Sequence, residues 1–259
     1  MAITFVASTV WVAAASTSVM PVLTMPVGWA AGDILVMLLE TKLTNRSVAV
    51  PAGWTRGPSY GFGSSSTAIA YAAGAGDTLS ETLWRVAQAG DTVPALTSTG
   101  GSTTSTTGNV TLGLICAFRN PSKAWRVDDV GYDCSPAGTA ASPNPGNTPP
   151  LGFLAPGDFL VGGAAITLST AIQTGGQFWP TGTATLATPT LLTADLASSV
   201  GADIKACAKY TSVTAGAADT WRTDQAYSVS TYGSAAAVRL REVVAGGATP
   251  VRHIGKRRF

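Results

Sequence analysis

The chain has 259 residues, enough for one large all-β domain or two small ones. Apolar residues make up 46% of it and charged residues only 12%, which excludes a disordered or strongly solvated chain. The net charge of +2 implies no general affinity for nucleic acid.

The N-terminus, Met1 to Val6, has no basic region, and the stretch after it is broken by Ser, Thr and Pro. Neither a signal peptide nor a membrane span is predicted. No charge occurs before Asp33, and none lies between Asp158 and Asp195. So little charge suits a surface covered by copies of the chain or by partners, and that reading is placed ahead of a secreted, Ser/Thr-coated domain.

The first strong strand signal is Ala31-Gly32-Asp33-Ile34-Leu35-Val36. A Gly-Asp turn launches an almost wholly apolar run: Gly supplies positive φ, and Asp bonds its own backbone at the turn. Such a run predicts a central strand or one buried on both faces. Pro51-Ala52-Gly53-Trp54 then reads as a loop. Between Asp77 and Ala89, Leu79, Leu83, Trp84 and Val86 fit one helical face, but Thr78, Thr82 and Gly90-Asp91 weaken a helix there. Ser98 to Asn109 is nearly pure Ser, Thr and Gly, either a flexible loop or an edge ribbon. Val110 to Arg119 is a closing apolar strand. Asp128-Asp129 with Asp133 reads as a solvated turn rather than a calcium site, since the spacing fits no calcium loop. Ser135 to Pro150, rich in Pro, Gly, Asn and Ser, reads as a surface crossing or linker.

Beyond it the opening pattern returns as Pro156-Gly157-Asp158-Phe159-Leu160-Val161. Asp158 follows Asp33 by 125 residues, Asp219 follows Asp91 by 128, and Arg241 follows Arg119 by 122, each Arg ending a closing strand. The period is too long for a solenoid. It predicts two tandem sandwiches or one sandwich of two related halves. One is preferred, because four or five strands make a thin independent core. The expected fold is an all-β, jelly-roll-like antiparallel β-sandwich over residues 1–245, with halves at about 28–134 and 151–245. Residues 246–259 form a Gly-rich joint and a basic arm. The arm carries Arg252, His253, Ile254, Lys256, Arg257, Arg258 and Phe259. It reads as a solvated tail or as a segment that docks on an acidic neighbour, with Ile254 and Phe259 as apolar anchors.

Catalytic groups are sparse. The one histidine, His253, sits in the arm, away from any packed nucleophile. Cys116, Cys134 and Cys207 are widely spaced and odd in number, which suggests neither a disulfide framework nor zinc. The glutamates are Glu40, read as ending a strand, Glu81 and Glu242. No catalytic, metal or cofactor site is predicted, and a glycan-cleaving carboxylate pair is the lesser reading. Of seven tryptophans, Trp54 and Trp179, beside Pro and Gly, are the candidates for exposure and for glycan or interface contact.

Gly32-Asp33-Ile34-Leu35-Val36, then Pro51-Ala52-Gly53-Trp54-Thr55, then Ala117-Phe118-Arg119 resembles virion structural proteins of tailed bacteriophages, of the minor tail or tail-tip type found in phages of actinobacteria. The basic ending 251–259 is similar to theirs as well. The resemblance runs from about Gly28 to Glu242. The second copy departs from it, with Trp179-Pro180-Thr181-Gly182 in place of Pro-Ala-Gly-Trp. The resemblance implies a non-catalytic virion component, made in the host cytoplasm without a signal peptide and released by lysis. Its implied partners are other virion proteins, further copies of the chain, and a host-envelope glycan. A head decoration protein and a carbohydrate-binding module are the alternatives.

Overall fold

The computed structural model describes residues 3–14, 19–42, 46–61, 78–100, 110–135, 153–166, 187, 190–194, 196–198, 204–214, 217–218 and 233–243. They contain no helix, and so none long and apolar enough to cross a membrane. Short runs rich in Val, Ile, Thr and aromatics, punctuated by Gly, Pro and Asp, have become strands, as their fit to a pleated surface dictates.

The first eight strands are β1 (Thr4–Ser8), β2 (Val12–Ala13), β3 (Ile34–Lys42), β4 (Arg46–Val48), β5 (Thr55–Gly61), β6 (Thr78–Val86), β7 (Ser98–Gly100) and β8 (Val110–Arg119). An antiparallel sheet runs β1-β8-β3-β6-β5, with β2 continuing along β8, and β4 and β7 form a separate ribbon. The next eight are β9 (Trp125–Ser135), β10 (Phe153–Leu154), β11 (Phe159–Ile166), β12 (Thr190–Leu191), β13 (Leu196–Ser198), β14 (Ile204–Ser212), β15 (Ala217–Ala218) and β16 (Gly233–Glu242). The second antiparallel sheet runs β12-β14-β11-β16-β9, with β13 also on β14 and a small β10-β15 ribbon beside it.

Both sheets share an order and a register. In the first, Ile34 at the start of β3 lies opposite Phe118 of β8 and Val86 of β6. In the second, Phe159 at the start of β11 lies opposite Leu240 of β16 and Ser212 of β14. The two Gly-Asp strands thus hold the same central place, each beside its Arg-ending strand.

Alternation along β3 builds two cores at once. Ile34, Val36 and Leu38 meet the second sheet, packing with Leu114 and Phe118 of β8 and with Val161, Val238 and Leu240 across the sandwich. Leu35, Met37 and Leu39 face outward, where Leu23, Met20, Met25 and Trp29 cover them. All six side chains from Ile34 to Leu39 are fully buried, each worth about 1.5–3 kcal/mol relative to exposure. This explains the unbroken apolar run. At the end carrying the Gly-Asp turns, the ring of Phe118 lies 5.7 Å from both Phe159 and Tyr210, and Phe5 stacks on Tyr210 at 4.6 Å.

The edges are guarded. β1 is irregular between Phe5 and Ala7, β5 between Arg56 and Ser59, and the β9 pairing between Ala237 and Val238. Such bulges spoil an edge as a template for further strands.

Two open readings resolve as strands, and other expectations need correction. Residues 78–86 are a strand throughout. Leu79, Glu81 and Leu83 alternate with Ser80, Thr82 and Trp84, and pairing to β3 and β5 overrides the helical spacing. Ser98–Gly100 is the ribbon β7, while 101–109 lie outside the described residues. The acidic group 128–133 is not a turn but part of β9. β9, assigned by sequence to the first half, is hydrogen-bonded along β16 in the second sheet. The sheets therefore join at the short turn 120–124, while 136–150 falls inside the stretch that builds the second sheet. A jelly roll passes repeatedly between its sheets; here the described strands complete one sheet before the other begins.

Candidate functional site

The most constructed feature is a pair of matching Asp–Arg clasps at one pole. At the first, Gly32 adopts φ 95°, a conformation open to Gly and costly for other residues. The turn closes with Asp33 N donating to Ala30 O (3.0 Å), and Ala30 N donates to Asp33 Oδ2 (2.8 Å). Arg119, at the end of β8, then binds the carboxylate with two prongs: Nε to Oδ1 at 2.8 Å and Nη2 to Oδ2 at 2.7 Å. Arg119 Nη2 also donates to Gly28 O (2.9 Å). Gly32 N and Ala87 N exchange bonds with Ala87 O and Asp33 O, both 2.8 Å, tying the turn to the chain beyond β6.

The second clasp repeats the turn, the two-pronged Arg grip and the paired backbone bonds. Gly157 has φ 89°, Asp158 N donates to Ala155 O (3.0 Å), and Ala155 N donates to Asp158 Oδ2 (3.0 Å). Arg241 Nε reaches Oδ1 at 2.8 Å and Nη2 reaches Oδ2 at 2.6 Å. Val213 takes the place of Ala87, with bonds of 2.9 and 2.8 Å. Both carboxylates are buried, with Asp33 and Asp158 each 2% exposed. Donating to the charged carboxylate of Asp33 raises Arg119 above the ordinary guanidinium range, and donating to Asp158 does the same for Arg241. Bidentate geometry of this kind joins strength to a fixed orientation.

The sheets meet at this pole through the turn 120–124. Asn120 Oδ1 accepts from Ser122 N (3.0 Å), Asn120 Nδ2 donates to Ala124 O (2.9 Å), and Trp125 Nε1 donates to Gly32 O (2.8 Å). The first residue of the second sheet is thereby pinned to the first clasp.

Other charges are built in as well. Arg239, 6% exposed, binds Asp128 through Nε (3.1 Å) and Nη2 (2.5 Å), and Arg126 Nε adds a bond of 2.8 Å. Burial drives the Asp128 carboxyl up, but the hydrogen bonds from Arg239 and Arg126 outweigh it and hold it below the usual range. Glu81 pairs with Arg56 and accepts Val48 N (3.0 Å), while Arg56 also donates to Val48 O, binding β4 over the sheet. Arg85 pairs with Asp91 at 2.9 Å. Burial pushes the thiol of Cys116 far above its ordinary range, which leaves it a poor nucleophile.

Of the residues singled out from sequence, Trp54 is corrected: it is only 7% exposed and packs with Leu35, Leu83 and Val48. Its ring has no open face for a sugar, because these side chains enclose it. Trp179 and the arm residues Arg252, His253, Ile254, Lys256, Arg257, Arg258 and Phe259 lie outside the described residues. Glu40 does not end a strand but is buried two residues before the end of β3. The sequence signal for Glu40 and Glu81 was their place inside otherwise apolar or alternating strands. No protein-family profile, curated protein or solved structure matches this chain.

Proposed function

We propose that this chain is a non-catalytic structural component of a bacteriophage virion, of the minor tail or tail-tip type, built by duplication of one β unit. The observation that carries this reading is the recurrence of the Asp–Arg clasp, Asp33–Arg119 and Asp158–Arg241, in the same register of both sheets. Much of the charge in this charge-poor chain goes into fixing strands, which suits a rigid assembly part. The bulged edges fit the same role, since they favour docking through defined faces over open-ended strand addition. The likeness of the Gly-Asp, Pro-Ala-Gly-Trp and Phe-Arg landmarks to tail proteins supplies the setting.

In this reading the partners are other virion proteins and further copies of the chain, and the segment 251–259 docks on an acidic neighbour. Cryo-electron microscopy and quantitative mass spectrometry of purified particles test it. A few to a few dozen copies per particle at the tail are expected. Hundreds of copies on the head would make it a decoration protein instead, and absence from particles would end the proposal. Deleting 251–259 should leave thermal unfolding unchanged while reducing incorporation. Loss of folding on that deletion would refute the docking role.

A further inference from the structure

Glu40 has no place in the clasps. It lies on the face of β3 that meets the second sheet and is 1% exposed. Ser80 Oγ, directly across on β6, donates to its Oε2. Its Oε1 sits over Gly163 of β11, where an added Cβ would come within 2.6 Å of it. The backbone of the opposite sheet is left bare where the carboxyl group needs room.

The surrounding charges do not compensate it. On β6, Glu81 is a like charge held on the other face by Arg56. On β16, Arg239 is occupied by Asp128 on the far side of the second sheet. On β3 itself, Lys42 is the next residue on the same face and is partly buried. β8 offers Leu112 and Leu114 here, and β14 offers Ile204 and Ala206. Among the described residues no cation forms an ion pair with Glu40. A carboxylate so placed, with one hydroxyl donor, pays a desolvation cost that protonation removes. Burial accordingly drives this carboxyl well above the ordinary range, with the Ser80 bond opposing and the Glu81 charge adding.

We propose that Glu40 is carried as a neutral carboxylic acid and serves as a proton-dependent lock between the two sheets, at the end of the sandwich away from the clasps. Loss of its proton places an uncompensated charge between β3 and β11 and favours their separation there. The sign follows from linkage. The lock is complete below the ordinary carboxylate range. It weakens as pH rises from that range toward the value Glu40 holds in the fold.

Infrared spectroscopy of the wild-type protein at neutral pH should show the carbonyl stretch of a protonated carboxyl, missing in Glu40→Gln. Hydrogen exchange, corrected for intrinsic rates, should show opening at 38–42 and 163–166 rising with pH by about tenfold per unit until Glu40 ionises within the fold. Residues 34–36 and 159–161, beside the clasps, should stay protected, and Glu40→Gln should abolish the pH dependence. Absence of the protonated band in wild type overturns the proposal without any variant. So does an unchanged pH dependence in Glu40→Gln.

Discussion

Replacing Asp158 with Ala removes the hub of the second clasp. Its carboxylate is 3% exposed and accepts three bonds: Ala155 N at 3.0 Å and Arg241 Nε and Nη2 at 2.8 and 2.6 Å. At about 1.5–3 kcal/mol for each bond to a charged group, a simple sum overstates the loss, because the three share one carboxylate. Breaking a buried ion pair costs about 3–5 kcal/mol, chiefly through the charge left behind. Arg241 is 24% exposed and regains some water, which points to the lower end, about 3 kcal/mol. Arg119 is 45% exposed, so Asp33→Ala should cost less, about 2 kcal/mol. For a chain of this size these losses lower Tm by about 6–12 °C and about 4–8 °C. Urea unfolding followed by tryptophan fluorescence should give the same ranking with an unchanged m-value. Adding Arg241→Ala to Asp158→Ala should cost less than the sum of the two, since both changes break the same ion pair. Losses below about 0.5 kcal/mol for both Asp variants, within the range of ordinary surface changes, or a costlier Asp33→Ala, would refute the reasoning.

Three further outcomes are expected. Gly57→Ala should destabilise by about 1–3 kcal/mol in urea unfolding, because its Cβ would lie 2.5 Å from Thr82 Oγ1 and 3.1 Å from Val238 Cγ1. Trp54→Ala should cost about 3–5 kcal/mol as a core truncation, and a glycan array should show no binding change attributable to Trp54 in folded protein. Asp128, held low by Arg239 and Arg126, contributes stability present above the ordinary Asp range and lost as pH falls through its depressed value. Asp128→Asn should therefore flatten the acid limb of stability below the ordinary Asp range.

Much of the fold was legible because β-structure writes itself in short signals. The Gly-Asp launches at 32–33 and 157–158 marked the central strands, and the offset of Arg119 and Arg241 marked their neighbours. What the sequence concealed was spatial. Nothing local says that Arg119 returns across 86 residues to grip Asp33. β9 was misassigned because the repeat was counted from the Gly-Asp landmark, whereas β9 precedes its Gly-Asp strand just as β1 precedes β3. Trp54 was misread because Pro and Gly nearby signal a turn but not which way the ring folds. Glu40 was dismissed because a carboxylate after an apolar run ordinarily marks a strand leaving the core, and here the missing side chain of Gly163 lets it stay.

The order in which the sheets are made has a consequence for synthesis. The described strands of the first sheet are all present once Arg119 has been added, but the face bearing Ile34, Val36, Leu38 and Phe118 lacks its full cover until β16, which supplies Val238 and Leu240, is finished at Glu242. At ribosomal speeds that wait is about 6–25 s. During it, the exposed face of one nascent chain can be capped by the second sheet of a neighbour on the same message, since every copy carries the same second sheet. Slower growth or dilution of the message should favour self-pairing, and the yield of monomer should depend on expression rate even where equilibrium stability does not.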